Sequence, residues 1–371
     1  MPTVPVEVRP TARYIRDRLR DIRATDPELA RRLQCLQRFS RTVRTNVVFL
    51  TKACNIRCEG CWYFGHQMDQ GVTEVSGEGG QDTADAFARQ LADSGISHAM
   101  LLGGEPTLVP DRIRAFTRHI EYVTVVTNGL RPLPRDEGFE RVNIAVSVFG
   151  GGPLDDQLRG IRPNGTRFSG LFDSALSNYR DDPRAVFIYA LSEDGTDYIE
   201  KTVHRIHDNG NQVTFSFYSA YGTDTPLPPE SDRRDALLAE ALRVRQQYPG
   251  TVASHPYYIR TAITGRSHWA EFGYDVCATV SERYPAHADR LANGNPVLPG
   301  FAAYRPDLET VQFCCTSGDC GGCRDSQAVQ SWLLVSLPYF LDSPARLREW
   351  VELAECFYRQ YYWSPYHPGA A

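Results

Sequence analysis

Short apolar runs separated by helical segments recur along residues 45–219, and this beat limits the fold more than any other feature of the chain. TNVVFL, SHAMLLGG, YVTVVTNG, RVNIAVSVFG, AVFIYALS and VTFSFYS read as strands. TADAFARQLADSG, PDRIRAFTRHI, SGLFDSALSNYRD and DYIEKTVHRIHDNG read as helices. Six buried-looking strands alternating with helices predict an α/β fold with a parallel sheet or partial barrel, in which ligands gather where the strands end. Before the beat begins, ARYIRDRLRDIRA and DPELARRLQCLQRF carry helical spacing, with Asp26 and Pro27 as a cap. After Tyr221 it dissolves into the turn-rich YGTDTPLPPESD, followed by the helix RRDALLAEALRVRQQY. The expected division is a helical extension at 1–44, an α/β unit at 45–250, and a cysteine-rich unit with C-terminal helices at 251–371.

Bulk properties exclude several classes. The chain has 371 residues, 42% of them apolar, enough for a substantial core. Its net charge of −5 offers no general attraction to a phosphate backbone, so no nucleic-acid partner is expected. Residues 1–44 differ, with eleven Arg against five acids, which leaves −11 on the rest. A solvated basic face on two helices accounts for this. No apolar run approaches the roughly 18 to 20 residues that span a bilayer, and the N-terminus lacks a charged-then-apolar signal layout. The expectation is a cytoplasmic protein without a membrane partner.

Ten cysteines in a reduced compartment call for metal or iron–sulfur ligation rather than disulfides. Three of them, Cys54, Cys58 and Cys61, form a CX3CX2C loop directly after the first strand. A structural zinc site is closed by four protein ligands, so three thiols in a tight loop either borrow a distant ligand or leave one position open.

Strand-end motifs follow in order: LLGGEPTL after the second strand, VVTNGL after the third, AVSVFGG after the fourth, then LDDQLRG. Together with the cysteine loop, this set resembles the radical S-adenosylmethionine (SAM) superfamily over roughly residues 45–220. The resemblance implies a partial (βα)6 barrel of the TIM type, and a 4Fe–4S cluster held by Cys54, Cys58 and Cys61 with one iron open to SAM. It further implies that Gly103 and Gly104 permit close backbone approach, that Glu105 accepts from the SAM ammonium, and that Thr127 and Asn128 sit beside the cofactor. Ser147 resembles a contact to the ribose hydroxyls, and Arg159 resembles an arginine that pairs with the SAM carboxylate. Many family members have an aromatic just before the third cysteine; Gly60 stands there, and Trp62 or Tyr63 is the expected substitute.

A second group lies in LETVQFCCTSGDCGGCRDS, with Cys277 37 positions before its first cysteine. It resembles the auxiliary-cluster extensions called SPASM and twitch domains, in which FAAYRPDLETVQFCC would be a hairpin. The implied ligands of one auxiliary 4Fe–4S cluster are Cys277, Cys315, Cys320 and Cys323, with Cys314 as the alternative to Cys315. Four thiolates with a CX2C element also suit structural zinc, which stays open as the second reading. Cys35 and Cys356 lie on helical apolar patterns and read as small core residues.

The resemblance implies reductive cleavage of SAM, hydrogen-atom abstraction, and an external one-electron donor of the flavodoxin or ferredoxin type. A second cluster favours oxidation of a small natural-product precursor or a peptide, as a dehydrogenation or cross-link. Redox-neutral epimerisation or adenosyl addition is the alternative, and a catalytically silent zinc-binding module the third. Only 44 residues precede the first strand, short of the roughly 80 of a leader-binding domain in peptide-modifying relatives; this favours a free small molecule as substrate, or recognition of a peptide through a separate leader-binding partner.

Overall fold

The computed structural model describes residues 10–76, 78–217, 232–264, 277–285, 297–314, 325, 329 and 333–361. Two amphipathic helices come first, α1 (Ala12–Thr25) and α2 (Pro27–Thr42). The Thr11 hydroxyl accepts from the Tyr14 N–H and the Asp26 carboxylate from that of Leu29, while Pro27 takes the first turn, where its missing N–H is no loss. Leu29, Leu33 and Leu36 form the buried stripe of α2.

The predicted alternation follows. Strand β1 (Thr45–Phe49) leads through the cysteine loop to α3 (Trp62–Gly65) and α4 (Glu78–Asp93). Next come β2 (His98–Leu102), α5 (Pro110–His119), β3 (Tyr122–Thr127), β4 (Val142–Val148), α6 (Gly152–Arg159) and α7 (Leu171–Asn178). The series ends with β5 (Ala185–Leu191), α8 (Ile199–Asp208) and β6 (Gln212–Phe217). All six strands are present where the apolar runs stood. Helix α6 was not predicted: LDDQLRG is too short and polar to show a period.

The strands pair in parallel in the order β6-β5-β4-β3-β2-β1, each beside its predecessor. That unreversed order is the order of a partial barrel. Beyond it, α9 (Asp232–Gln247) and α10 (Pro256–Thr264) cover the β6 side, with Val252 bridged to Val213. The predicted hairpin forms as β7 (Ala303–Tyr304) and β8 (Val311–Gln312). β7 joins the free edge of β1 in parallel, giving an eight-stranded sheet. Helix α11 (Pro344–Tyr361) packs on α2, where Arg32 and Glu355 pair at 2.6 Å.

Register decides which side chains face inward. Leu102, Val126 and Ser147 line one pocket, and alternation puts Met100, Thr124 and Asn143, which are in register with one another, on the same face deeper in the barrel. The floor is polar and mostly paired, the buried Asn143 Oδ1 alone among these groups having no partner among the described residues. The Asn143 amide donates to the Gln360 carbonyl of α11, and the His98 ring lies 3.0 Å from both the Thr45 and Thr124 hydroxyls.

His98 is fully buried, and burial pushes its pKa down to about 3, so the ring stays neutral. The unfolded chain takes up this proton near pH 6.5 and the folded chain refuses it. The penalty is therefore absent above that pH and grows below it. Stability should drop by about 2 kcal/mol from pH 7 to pH 5 through this residue alone. Denaturant unfolding at the two pH values checks this, and His98→Gln should lack that part of the slope.

Candidate functional site

The loop after β1 is held by continuing the β1–β2 ladder past the strand ends. The N–H groups of Leu50, Gly104 and Glu105 donate to the carbonyls of Leu102, Thr51 and Ala53, each at 2.8 Å. On one side, the Glu74 carboxylate accepts from the Lys52 N–H, and Arg112 bridges Glu74 and the Leu50 carbonyl. On the other, the N–H groups of Arg57 and Glu59 donate at 2.7 Å to the carbonyls of Ile161 and Leu158.

This wrapping places Cys54, Cys58 and Cys61 around a pocket at the carboxyl ends of β1 to β4. The same pocket is lined by Gly103, Gly104, Glu105, Thr127, Asn128, Ser147 and Arg159. Every candidate of the first motif set is thus in one place. The glycines serve a closer neighbour than a ligand. A Cβ on Gly104 would lie 2.2 Å from the Ala53 carbonyl oxygen, and one on Gly103 2.6 Å from that of Thr51. The cysteine loop itself is what approaches them.

Glu105 is buried and its carboxylate is well occupied. Oε1 accepts from the Thr107 N–H and from the Thr107 and Thr127 hydroxyls, and Oε2 accepts from the Asn128 N–H at 2.8 Å. Burial pushes the carboxyl upward while these donors pull it down. Glu105 therefore ties the end of β2 to the end of β3. From there the Asn128 amide donates to the Asn55 side chain at 2.7 Å, inside the cysteine loop.

Arg159 is equally committed. Its Nη1 donates to the Ser147 carbonyl at 2.6 Å and to Asp155, one turn earlier on α6, at 2.8 Å. Asp155 also accepts from the Phe149 N–H. The guanidinium lies 4.9 Å from the Phe149 ring centroid, and its charge acts on the Cys58 thiol. Its Nε is buried with no partner among the described residues. Burial raises the Cys58 thiol, and Arg159 opposes that; Cys54 has no such cation and is pushed up to about 12.

Trp62, Tyr63 and Phe64 supply the aromatic wall that Gly60 does not. Tyr63 stacks on Phe49 at 5.5 Å and Trp62 meets the same ring edge-on at 5.7 Å. Asn55, Thr107, Phe149 and Asp155 were not singled out from the sequence. Only Asp155 left a signal there, as an acid four residues before Arg159.

The donor set fits an iron–sulfur cluster better than a lone ion. Among the described residues no three His, Cys, Asp or Glu side chains could hold a single metal ion. Thiolates spread around a pocket, each facing a different iron, are what a cluster takes. In the second group, Cys277 and Cys314 are both buried. Cys314 bridges Val280 in antiparallel fashion, three residues from Cys277. Cys315, Cys320 and Cys323 lie outside the described residues. Among the described residues no helix is long and apolar enough to cross a membrane.

No family model matches the chain. It is 30% identical over 144 residues to the probable GTP 3′,8-cyclase of Pyrococcus horikoshii, covering 34% of this chain and 44% of that protein. It is 32% identical over 132 residues to the GTP 3′,8-cyclase of Chlorobaculum tepidum, covering 33% and 38%. The chain thus spans under half the length of these curated relatives. Among solved structures, native anSMEcpe with bound AdoMet is 12% identical with a TM-score of 0.47, over 85% of this chain and 88% of that one. Streptococcus suis SuiB is 16% identical with a TM-score of 0.41, over 62% and 54%.

Proposed function

We propose, from the premise that this chain belongs to the radical SAM superfamily, that it cleaves SAM reductively and uses the resulting radical to oxidise a small natural-product precursor or a peptide. The observation that carries this is the single pocket lined by Cys54, Cys58 and Cys61 together with Gly103 to Glu105, Thr127, Asn128, Ser147 and Arg159. When bound, a 4Fe–4S cluster with one open iron supplies the electron that cleaves SAM, and SAM supplies the hydrogen-abstracting 5′-deoxyadenosyl group.

The chain's own part is positioning. Three thiolates would hold the cluster and leave its fourth iron to SAM. The spare acceptor capacity of Glu105 Oε2 suits the SAM ammonium, since a carboxylate has about four acceptor sites over its two oxygens and this oxygen has one donor. The half-exposed Ser147 suits a ribose hydroxyl. The Trp62 and Tyr63 wall suits the adenine face and excludes water. An external one-electron donor of the flavodoxin or ferredoxin type completes the cycle.

The second cysteine group is assigned to one auxiliary 4Fe–4S cluster on Cys277, Cys320, Cys323 and one of Cys314 and Cys315, accepting the substrate's electron. Replacing Cys320 and Cys323 by Ala should leave free 5′-deoxyadenosine forming under strong reductant while the oxidised product disappears. Retained SAM binding and a near-native circular dichroism spectrum show that the variant is folded. Product at the normal rate would reject the acceptor role and favour redox-neutral chemistry; zinc in place of the auxiliary iron would reject the cluster.

A further inference from the structure

The turn that leaves the cysteine loop is held from the far end of the sequence. Helix α3 starts immediately after Cys61 and lasts one turn. Gln67 then adopts a φ of +54°, a left-handed conformation that a side chain disfavours and that persists only where the surroundings enforce it. The turn closes locally, with the Gln67 N–H donating to the Phe64 carbonyl and the Met68 N–H to that of Tyr63, and Arg305 holds it from outside. Its Nη2 donates to the carbonyls of Gln67, Met68 and Gln70 at 3.3, 2.8 and 2.6 Å. Three carbonyls converging beyond a helix C-terminus form a cation site, and the Nε of Arg305 is buried with no partner among the described residues. One residue on, the Pro306 carbonyl accepts from the Val75 N–H, and Glu74 beside it holds Lys52 and Arg112. The strap from Gln67 to Val75 is therefore pinned to the β7–β8 turn at both ends, and at Glu74 to the start of the cysteine loop as well.

We propose that Arg305 is a positioning residue for the first cysteine loop. It fixes the exit turn of α3, and through it Cys61, Trp62 and Tyr63. It sits on the hairpin whose second strand runs into Cys314, so the hairpin joins the two cysteine regions mechanically as well as by sequence. The part concerning Cys61 and SAM rests on the function proposed above; the part concerning the α3 turn does not.

Hydrogen–deuterium exchange and SAM affinity, measured on the reconstituted protein, test this with Arg305→Met and Arg305→Lys. Arg305→Met keeps the apolar stem and removes the donors. Exchange in residues 62–70 should rise about tenfold and SAM affinity fall about tenfold, the equivalent of one hydrogen bond with a charged partner. Exchange in β1 should stay as it was. Arg305→Lys should recover most of both, because an ammonium carries three donors for the three carbonyls. Unchanged exchange in residues 62–70 would overturn the proposal, as would a loss of affinity that Arg305→Lys does not restore although it restores exchange. If the unsubstituted protein binds no SAM, the proposed function fails, and Arg305 is judged on exchange alone.

Discussion

Replacing Cys54, Cys58 and Cys61 together by Ala should abolish SAM cleavage and remove about four of roughly eight irons from anaerobically reconstituted protein. The loss is expected to be complete because the three thiols are not interchangeable supports. They surround one pocket from three points of a single loop, and no other described cysteine lines it. The fold should survive. The loop is anchored by its backbone to the strand ends and to Leu158 and Ile161, contacts that none of the three sulfurs makes. Iron and sulfide analysis, with quantitation of 5′-deoxyadenosine, checks the prediction; cleavage persisting in the variant would reject the pocket as the reaction centre.

Glu105→Ala should show the next largest effect, and it should appear in stability as well as in binding. The substitution leaves the Asn128 N–H, the Thr107 N–H and two hydroxyls buried without their acceptor. Stranding buried donors in this way costs about 3 kcal/mol or more, and Asn128 would then lose its fixed hold on Asn55. SAM affinity should fall by at least about tenfold. Glu105→Gln separates the two roles. A Gln carbonyl can still serve the three donors at Oε1, so much of the stability should return. Its amide cannot accept from the Asn128 N–H or from an ammonium, so affinity should not. Recovery of both in Glu105→Gln would reduce Glu105 to a strut between β2 and β3. Calorimetric binding and urea unfolding of the two variants decide it.

The two residues whose surroundings differ most from the sequence-based expectation are Glu105 and Arg159. Each was assigned a direct contact to SAM by resemblance, and each stands in the pocket as expected. What their positions in the chain did not reveal is how many of their bonds are used within the protein. Asp155 lies on a helix the sequence did not announce, and the Ser147 carbonyl comes within reach of Arg159 only once β4 and α6 have packed. Glycines 103 and 104 teach the same lesson. Their need for a bare backbone was legible, but the group that needs it is the loop at residues 51–53.

The sequence by itself determined the strands, most of the helices, the hairpin at residues 303–312 and the order of the pocket motifs. These follow from interactions between residues close in the chain: apolar alternation, Pro and Asp at helix starts, and glycine where a strand turns into a loop. The tertiary structure decided that β7 pairs with β1, that α11 closes the barrel floor against Asn143, and that Arg305 governs a turn more than 230 residues earlier. Those partnerships depend on which elements become neighbours when the sheet curls. A long polar side chain has no preferred partner until its surroundings are desolvated, and it then bonds to whatever unsatisfied carbonyl or carboxylate the fold has brought beside it.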